Sequence, residues 1–136
     1  KHINFFNKNI GYVEGDILNS KSIDKVVKGA KFVFHFAGIS DIDISNKSAF
    51  NTFSSNVLGT INILNSCVKN KVDRLVFASS IYIYGNKGGF YKISKQTCES
   101  IIREYSEKYN IKFTIIRFGS IYGPKSNNLN FIHKVR

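Results

Sequence analysis

The chain has 136 residues, which is long enough for one domain with a hydrophobic core. Hydrophobic residues make up 43% of it and charged residues 21%, as in soluble globular proteins, and no apolar run is long enough to span a bilayer. The net charge of +11 would suit nucleic acid, but the lysines are scattered along the chain, so we expect neither a nucleic-acid partner nor a membrane.

The two cysteines, Cys67 and Cys98, are widely separated and lie in helical patterns. This spacing favours neither a disulfide framework nor a zinc site, so we expect no metal and two buried thiols in a reducing cytoplasm. We expect no signal peptide, because the first residues lead into polar, Asn-rich sequence. Methionine is absent even from position 1, which leads us to expect an internal piece of a longer protein.

Short apolar runs alternate along the chain with longer stretches of helical periodicity. In chain order, the pattern predicts a strand over residues 10–13, a helix over 20–28, a strand over 31–36, a long helix over 49–70, a strand over 74–78, a long helix over 91–110 and a strand over 112–117. Strands separated by long helices are typical of parallel sheets with right-handed crossovers. The sequence therefore predicts one α/β domain, or part of one.

Small and polar residues follow the predicted strands, at the edge where open α/β sheets bind their ligands. Asp16 follows the first strand and could accept a hydrogen bond from an adenine amino group, although in isolation a turn or a helix cap is its favoured role. Gly38 follows the second strand, where a glycine lets the backbone approach a ligand closely. Ser79 and Ser80 follow the third strand and are well placed to contact a substrate.

Tyr91 and Lys95 lie on a predicted helix at a spacing that puts them on one face. A tyrosine can act as a general acid or base, and a neighbouring ammonium favours the phenolate form. No other Tyr-x-x-x-Lys pair occurs in the chain. His35 lies within an apolar run, and we expect it to be a hydrogen-bonded core residue.

Six short motifs occur in an order typical of one enzyme family. They are Gly15-Asp16-Ile17, His35-Phe36-Ala37-Gly38, Asn56-Val57-Leu58-Gly59-Thr60, Ser79-Ser80-Ile81-Tyr82-Ile83-Tyr84-Gly85, Tyr91-Lys92-Ile93-Ser94-Lys95 and Arg117-Phe118-Gly119-Ser120-Ile121-Tyr122-Gly123-Pro124. Each motif is weak alone. Together they resemble the extended short-chain dehydrogenase/reductase family, the NAD-dependent epimerases and dehydratases that include UDP-glucose 4-epimerase. Glu99, one turn after Lys95, also fits the family pattern.

The resemblance implies a Rossmann-like, doubly wound parallel sheet with strand order 3-2-1-4-5-6. Residues 1–136 would form part of the NAD(P)-binding domain, from the third strand through the sixth. The first βαβ unit, with its glycine-rich phosphate loop, and the C-terminal substrate domain are expected to lie outside these residues. The first and second strands of the family fold would then lie between segments 10–13 and 31–36.

The resemblance also implies roles for individual residues. Tyr91 would be the catalytic acid/base, Lys95 would bind the nicotinamide ribose and favour the phenolate, and Ser80 would hydrogen-bond the reacting sugar hydroxyl. The cofactor-binding residues would be Asp16, Ile17, Phe36, Ala37, Gly38, Ser40, Ser55, Tyr91, Lys95, Phe118 and Gly119. The substrate-binding residues would be Ser80, Tyr82 and Ser120.

The implied function is that of a nucleotide-sugar epimerase or dehydratase that uses NAD, or alternatively NADP, and whose full-length parent is a cytoplasmic homodimer. Two alternatives stay open: an NADPH-dependent reductase of a small carbonyl substrate, and a non-catalytic dinucleotide-binding regulator of the same fold. Two departures from the family bear on substrate choice and activity. The segment between Gly85 and Tyr91 is unusually short, and Ser120 stands where the family often has Asn. We expect the isolated piece to be inactive.

Overall fold

A computed structural model of the chain describes residues 11–121 and 123, and its centre is a parallel sheet of three strands. The strands are β1 (Phe32–His35), β2 (Arg74–Ser80) and β3 (Lys112–Phe118), in the spatial order β1-β2-β3. The predicted α/β class is confirmed, and the three strands lie in the predicted order. Because the strands are parallel, their carboxyl ends lie at one edge of the sheet.

Helices and helical turns connect the strands. In the described residues they are α1 (Ser20–Val27), α2 (Ile42–Lys47), α3 (Ala49–Phe53), a π-helical turn (Ser54–Leu58), α4 (Gly59–Lys69), a 3₁₀ turn (Ile81–Tyr84) and α5 (Gly89–Tyr109). None of the helices in residues 11–121 is long and apolar enough to cross a membrane.

Helices α4 and α5 pack against one face of the sheet and form the hydrophobic core with it. Its fully buried side chains include Leu64 on α4, Leu75 and Phe77 on β2, and Ile102 on α5. Burial of one such side chain contributes about 1.5–3 kcal/mol before chain entropy is counted. The core therefore fixes α5 over the centre of the sheet.

One face and one edge of β1 are open in the described part of the chain. Phe32, Phe34 and Phe36 are 56%, 63% and 59% exposed, whereas His35, which alternates with them, is buried against α4. Among the described residues β1 pairs with β2 alone. Its free edge is the position at which the family resemblance places the first and second strands.

Two predictions about individual elements are wrong. Residues 11–13 of the predicted strand over 10–13 are not in a strand, and residue 10 lies outside the described residues. A strand requires a hydrogen-bonded neighbour, and no described segment pairs with residues 11–13. The single long helix over 49–70 is interrupted by the π-helical turn. Asn56 in that turn is a poor helix former, and its side chain bonds to other segments instead.

The predictions for His35 and the two cysteines are confirmed. Cys67 and Cys98 are buried free thiols, and burial raises the pKa of Cys67 to about 12. The Nε2 atom of His35 lies 2.9 Å from Thr60 Oγ1. Because the Thr60 hydroxyl itself donates to a carbonyl, that of Asn56, we assign His35 as the donor to Thr60. Burial lowers the pKa of His35 to about 4, so the ring is neutral at neutral pH.

Candidate active site

A cleft of about 500 Å³ opens at the carboxyl ends of the strands, where the sequence predicts ligand binding. The predicted site residues that line it are Phe36, Ser40, Ser80, Tyr82, Tyr91, Lys95, Phe118, Gly119 and Ser120. Hydroxyl groups and one ammonium group therefore meet between aromatic walls, a composition typical of small-molecule sites.

Four further residues line the cleft and were not among the predicted site residues: Ala78, Ser79, Ile81 and Ile121. Ser79, Ile81 and Ile121 lie inside motifs quoted above, and Ala78 directly precedes one of them. The sequence did indicate the Ser79 hydroxyl as well placed for a substrate, but the other three types carry no chemical signal, because small and aliphatic side chains are common everywhere. Only their position at the strand ends could have identified them.

The two serines that end β2 make different contacts. The Oγ atom of Ser79 donates to Glu99 Oε1 on α5 at 2.6 Å. The Oγ atom of Ser80 accepts the amide of Tyr82 at 3.3 Å and so begins the 3₁₀ turn. Successive side chains on a strand point to opposite faces of the sheet. Because the Ser79 side chain points toward α5, the Ser80 side chain points toward the opposite face. The Ser80 hydroxyl can still donate its proton to a ligand.

Tyr91 and Lys95 lie on one face of α5, and both are buried at the base of the cleft. The Nζ atom of Lys95 donates to the Ala78 carbonyl at 2.8 Å. The same atom lies 5.8 Å from the centroid of the Tyr91 ring. Burial lowers the pKa of Lys95. The ammonium is thus held by β2 at a fixed place beside the tyrosine.

The first turn of α5 is shaped by two glycines and by a side chain from α2. Gly88 and Gly89 have φ values of +113° and +50°, a region that favours glycine. Asn46 on α2 caps the helix, because its Oδ1 accepts the amide of Phe90 at 3.2 Å. A Cβ atom at position 89 would lie 2.0 Å from that oxygen. Any other residue at 89 would therefore displace the cap and disturb the turn that carries Tyr91.

The loop after β1 is held close to the π-helical turn. Gly38 has a φ of +138°, and a Cβ atom there would lie 2.7 Å from Asn56 Oδ1. That oxygen accepts the amide of Ile39 at 2.7 Å, while the Asn56 amide donates to Ser94 at 2.9 Å. Asn56 thereby ties the loop to α5, and Phe36, at the start of the loop, contacts Phe118 edge to face at 6.2 Å.

Some predicted cofactor residues do not line the cleft: Asp16, Ile17, Ala37, Gly38 and Ser55. The Asp16 carboxylate accepts the amide of Leu18 at 2.9 Å, which is the turn role considered as its alternative. Ile17 lies 3.0 Å from the position that a Cβ would take on Gly59. Ser55 lines a different cavity, of about 690 Å³.

Known proteins resemble this chain in sequence and in structure. The sequence model of the NAD dependent epimerase/dehydratase family matches residues 3–135. A UDP-glucose 4-epimerase of Dictyostelium discoideum is 36% identical over 81 residues, which are 58% of this chain and 24% of that protein. A UDP-glucose 4-epimerase of Thermotoga maritima, solved with UDP-glucose, has a TM-score of 0.85 at 20% identity over 95% of this chain and 47% of its own.

A double mutant of a dTDP-glucose 4,6-dehydratase from Streptomyces venezuelae, solved with NAD bound, also has a TM-score of 0.85. It is 26% identical and is matched over 95% of this chain and 44% of its own. The chain spans less than half the length of each of these three proteins. The similarity confirms the incomplete Rossmann-like fold and, with the match of the family model to nearly every residue, establishes that the chain belongs to the NAD dependent epimerase/dehydratase family.

Proposed function

We propose that the protein carrying this chain is a nucleotide-sugar epimerase or dehydratase in which Tyr91, Lys95 and Ser80 act on the sugar. The observation that carries the proposal is that all three residues line one cleft at the carboxyl ends of the strands. Two of them are fixed through β2, because Lys95 is bonded to Ala78 and Ser80 ends the strand.

Each of the three residues has a defined task in the proposed reaction. Tyr91 removes a proton from a sugar hydroxyl and later returns it. The buried ammonium of Lys95, which lies beside the tyrosine ring, favours the negatively charged phenolate. Ser80 donates or accepts a hydrogen bond at the same sugar hydroxyl and so holds it within reach of Tyr91.

The residues that line the cleft fit the nicotinamide end of NAD. Phe36 and Phe118 form apolar walls that suit a flat ring, and Lys95 with Tyr91 offers polar groups to a ribose. Bound NAD would supply the hydride acceptor and donor that allow a sugar to be oxidised and then reduced again, directly or after loss of water. The dehydratase solved with NAD supports this assignment. We extend it to Asp16, Ile17, Ala37, Gly38 and Ser55 for the remainder of the cofactor.

The proposed substrate is a nucleotide sugar. The Thermotoga maritima epimerase was solved with UDP-glucose, and the Streptomyces venezuelae enzyme is a dTDP-glucose dehydratase. The cleft holds hydroxyl groups at Ser80, Tyr82 and Ser120, which suit the many hydroxyls of a hexose. The homodimer, the cytoplasmic location and the use of NADP instead of NAD stay predictions.

The proposal is tested by Tyr91→Phe in the complete protein, with a panel of UDP- and dTDP-hexoses as substrates. We expect turnover to fall by about 10²–10⁴-fold, the usual contribution of a general acid/base, because only the phenolic oxygen is removed. NAD binding, measured by calorimetry, should persist, since the ring and Lys95 remain.

Tyr109→Phe is the matched control. It removes a phenolic oxygen from the far end of the same helix, away from the cleft. Its turnover should equal that of the wild type. Near-normal turnover of the Tyr91 variant, or no conversion of any sugar in the panel by the wild type, would contradict the proposed function.

A further inference from the structure

Helix α5 is fastened to β2 at two successive points beside the cleft. Lys95 donates to the Ala78 carbonyl at 2.8 Å. One helical turn later, Glu99 Oε1 accepts the hydroxyl of Ser79 at 2.6 Å. The two contacts fall on consecutive strand residues, immediately before Ser80. Two contacts at neighbouring residues fix both the position of the end of β2 and the direction in which its side chains point.

The second contact depends on a buried ion pair. Glu99 is 5% exposed, and an unpaired carboxylate at such a site would be costly. Arg117 on β3 supplies the counter-charge through two bonds, Nε to Oε1 at 3.0 Å and Nη2 to Oε2 at 2.7 Å. Burial alone would raise the pKa of Glu99, but the hydrogen bonds from Arg117 and Ser79 outweigh it and hold the pKa below its ordinary value. The carboxylate is thus ionised and rigidly oriented.

The same arginine reaches the turn that follows β2. Its Nη1 atom contacts the Tyr84 hydroxyl, and its guanidinium carbon lies 4.9 Å from the centroid of the Tyr84 ring. Tyr84 closes the 3₁₀ turn that Ser80 begins. Contacts to Glu99 and Arg117 therefore hold the chain on both sides of Ser80, at Ser79 before it and at Tyr84 after it.

We propose that Glu99 is a positioning residue for the reaction, acting through Ser79 to keep the Ser80 hydroxyl directed into the cleft. The inference rests on the proposed function, in which Ser80 binds the reacting sugar hydroxyl. Glu99 itself lines no part of the cleft, so its effect on catalysis must pass through the residues it holds.

The test is a double-mutant cycle in the complete protein, measured with the UDP- or dTDP-hexose that the wild type converts. Glu99→Gln should lower kcat by about tenfold or more with little change in KM, because small displacements of a positioned group act mainly on turnover. When Ser80→Ala is already present, Glu99→Gln should lower kcat no further. Glu104→Gln, the same change at an exposed position on the same helix, should leave kcat unchanged.

Equal losses of kcat in the two backgrounds would overturn the inference, since a merely structural role lowers activity whether or not Ser80 is present. An unchanged kcat in a folded Glu99→Gln protein would overturn it as well. If circular dichroism shows that variant to be unfolded, Ser79→Ala and Ser79→Thr replace it, because they alter the hydroxyl and leave the ion pair in place. Loss of kcat with Ala and recovery with Thr support the inference, and wild-type kcat with Ala refutes it.

Failure of this inference can be distinguished from failure of the proposed function. If Tyr91→Phe and Ser80→Ala each leave turnover near normal, the proposed function is wrong. If both variants lose turnover while the effect of Glu99→Gln is the same in both backgrounds, only the positioning role is wrong.

Discussion

At the scale of single residues, the two neighbouring serines should contribute unequally to turnover. Ser80 begins the turn at the cleft, whereas the Ser79 hydroxyl is occupied by Glu99. We expect Ser80→Ala to cost more turnover than Ser79→Ala, because it removes a group that would contact the sugar directly. Steady-state kinetics on both variants measure the ranking. The reverse ranking would place Ser79 against the substrate and our assignment one residue out of register.

The family resemblance, together with the spacing of Tyr91 and Lys95, predicted most of the residues that line the cleft, but not the contacts that support them. Tyr91 and Lys95 were found because the two side chains share a helix face, a property that sequence displays directly. The partner of Arg117 lies on another element, and nothing local to either residue predicts that pairing. The cap on Phe90 by Asn46 was missed for the same reason, since α2 itself was not predicted. Local patterns thus identified reactive side chains, whereas the contacts that hold those side chains in place became visible only in the tertiary structure.

At the scale of elements, the burial of His35 between β1 and α4 should make stability depend on pH. Burial lowers the pKa of His35 from 6.5 to about 4, so between those values the unfolded chain binds a proton that the folded chain does not. The free energy of unfolding should therefore fall as pH drops from 6.5 to 4, by about 3 kcal/mol in total. Urea denaturation at several pH values measures this loss.

His35→Gln is the matched variant for that measurement. Its amide can donate to Thr60 as the imidazole does, but it cannot take up a proton. Between pH 6.5 and 4, the free energy of unfolding of this variant should therefore fall less than that of the wild type, and the difference is the contribution of His35. An identical pH dependence in both proteins would mean that folding does not lower the pKa of His35.

Helices and strands with a long periodic pattern were predicted well. Elements that depend on contacts with other segments were predicted poorly. Helix α5 and the strands β2 and β3 were placed within two residues at either end. Residues 11–13 have the apolar character of a strand but no partner among the described residues, so composition alone misled the prediction. The break at residues 54–58 arises from contacts of Asn56 with Ile39 and Ser94, which helical spacing cannot reveal.

At the scale of the whole molecule, residues 1–136 alone should not bind NAD with useful affinity. The pyrophosphate of a dinucleotide is normally held by backbone amides of a glycine-rich loop at a helix N-terminus. In this sequence the pair Gly88-Gly89 follows a 3₁₀ turn, not a strand, and Asn46 occupies the helix start after it. Isothermal titration of the 136-residue chain with NAD and with NADP measures the affinity. Micromolar binding of either would contradict this expectation.

The same isolated chain should associate with itself. Phe32 and Phe34 on one face of β1, and Phe36 directly after the strand, are more than half exposed. Among the described residues, β1 pairs along one edge only. Exposed apolar strand edges favour pairing between chains. Such association can be followed by light scattering alongside the titration, so that loss of folded protein is not mistaken for weak NAD binding.

The cap that Asn46 places on α5 makes the stability of the first turn of this helix depend on another helix. Most of α5 is held by the core, but its first turn is held through a residue distant in sequence. We therefore expect that turn to fray when α2 undocks, at a cost below that of global unfolding. Tyr91 lies on that turn, so the proposed acid/base group belongs to a weaker cooperative unit than the core beneath it. We therefore expect the stability of the fold and the order of the candidate active site to change independently.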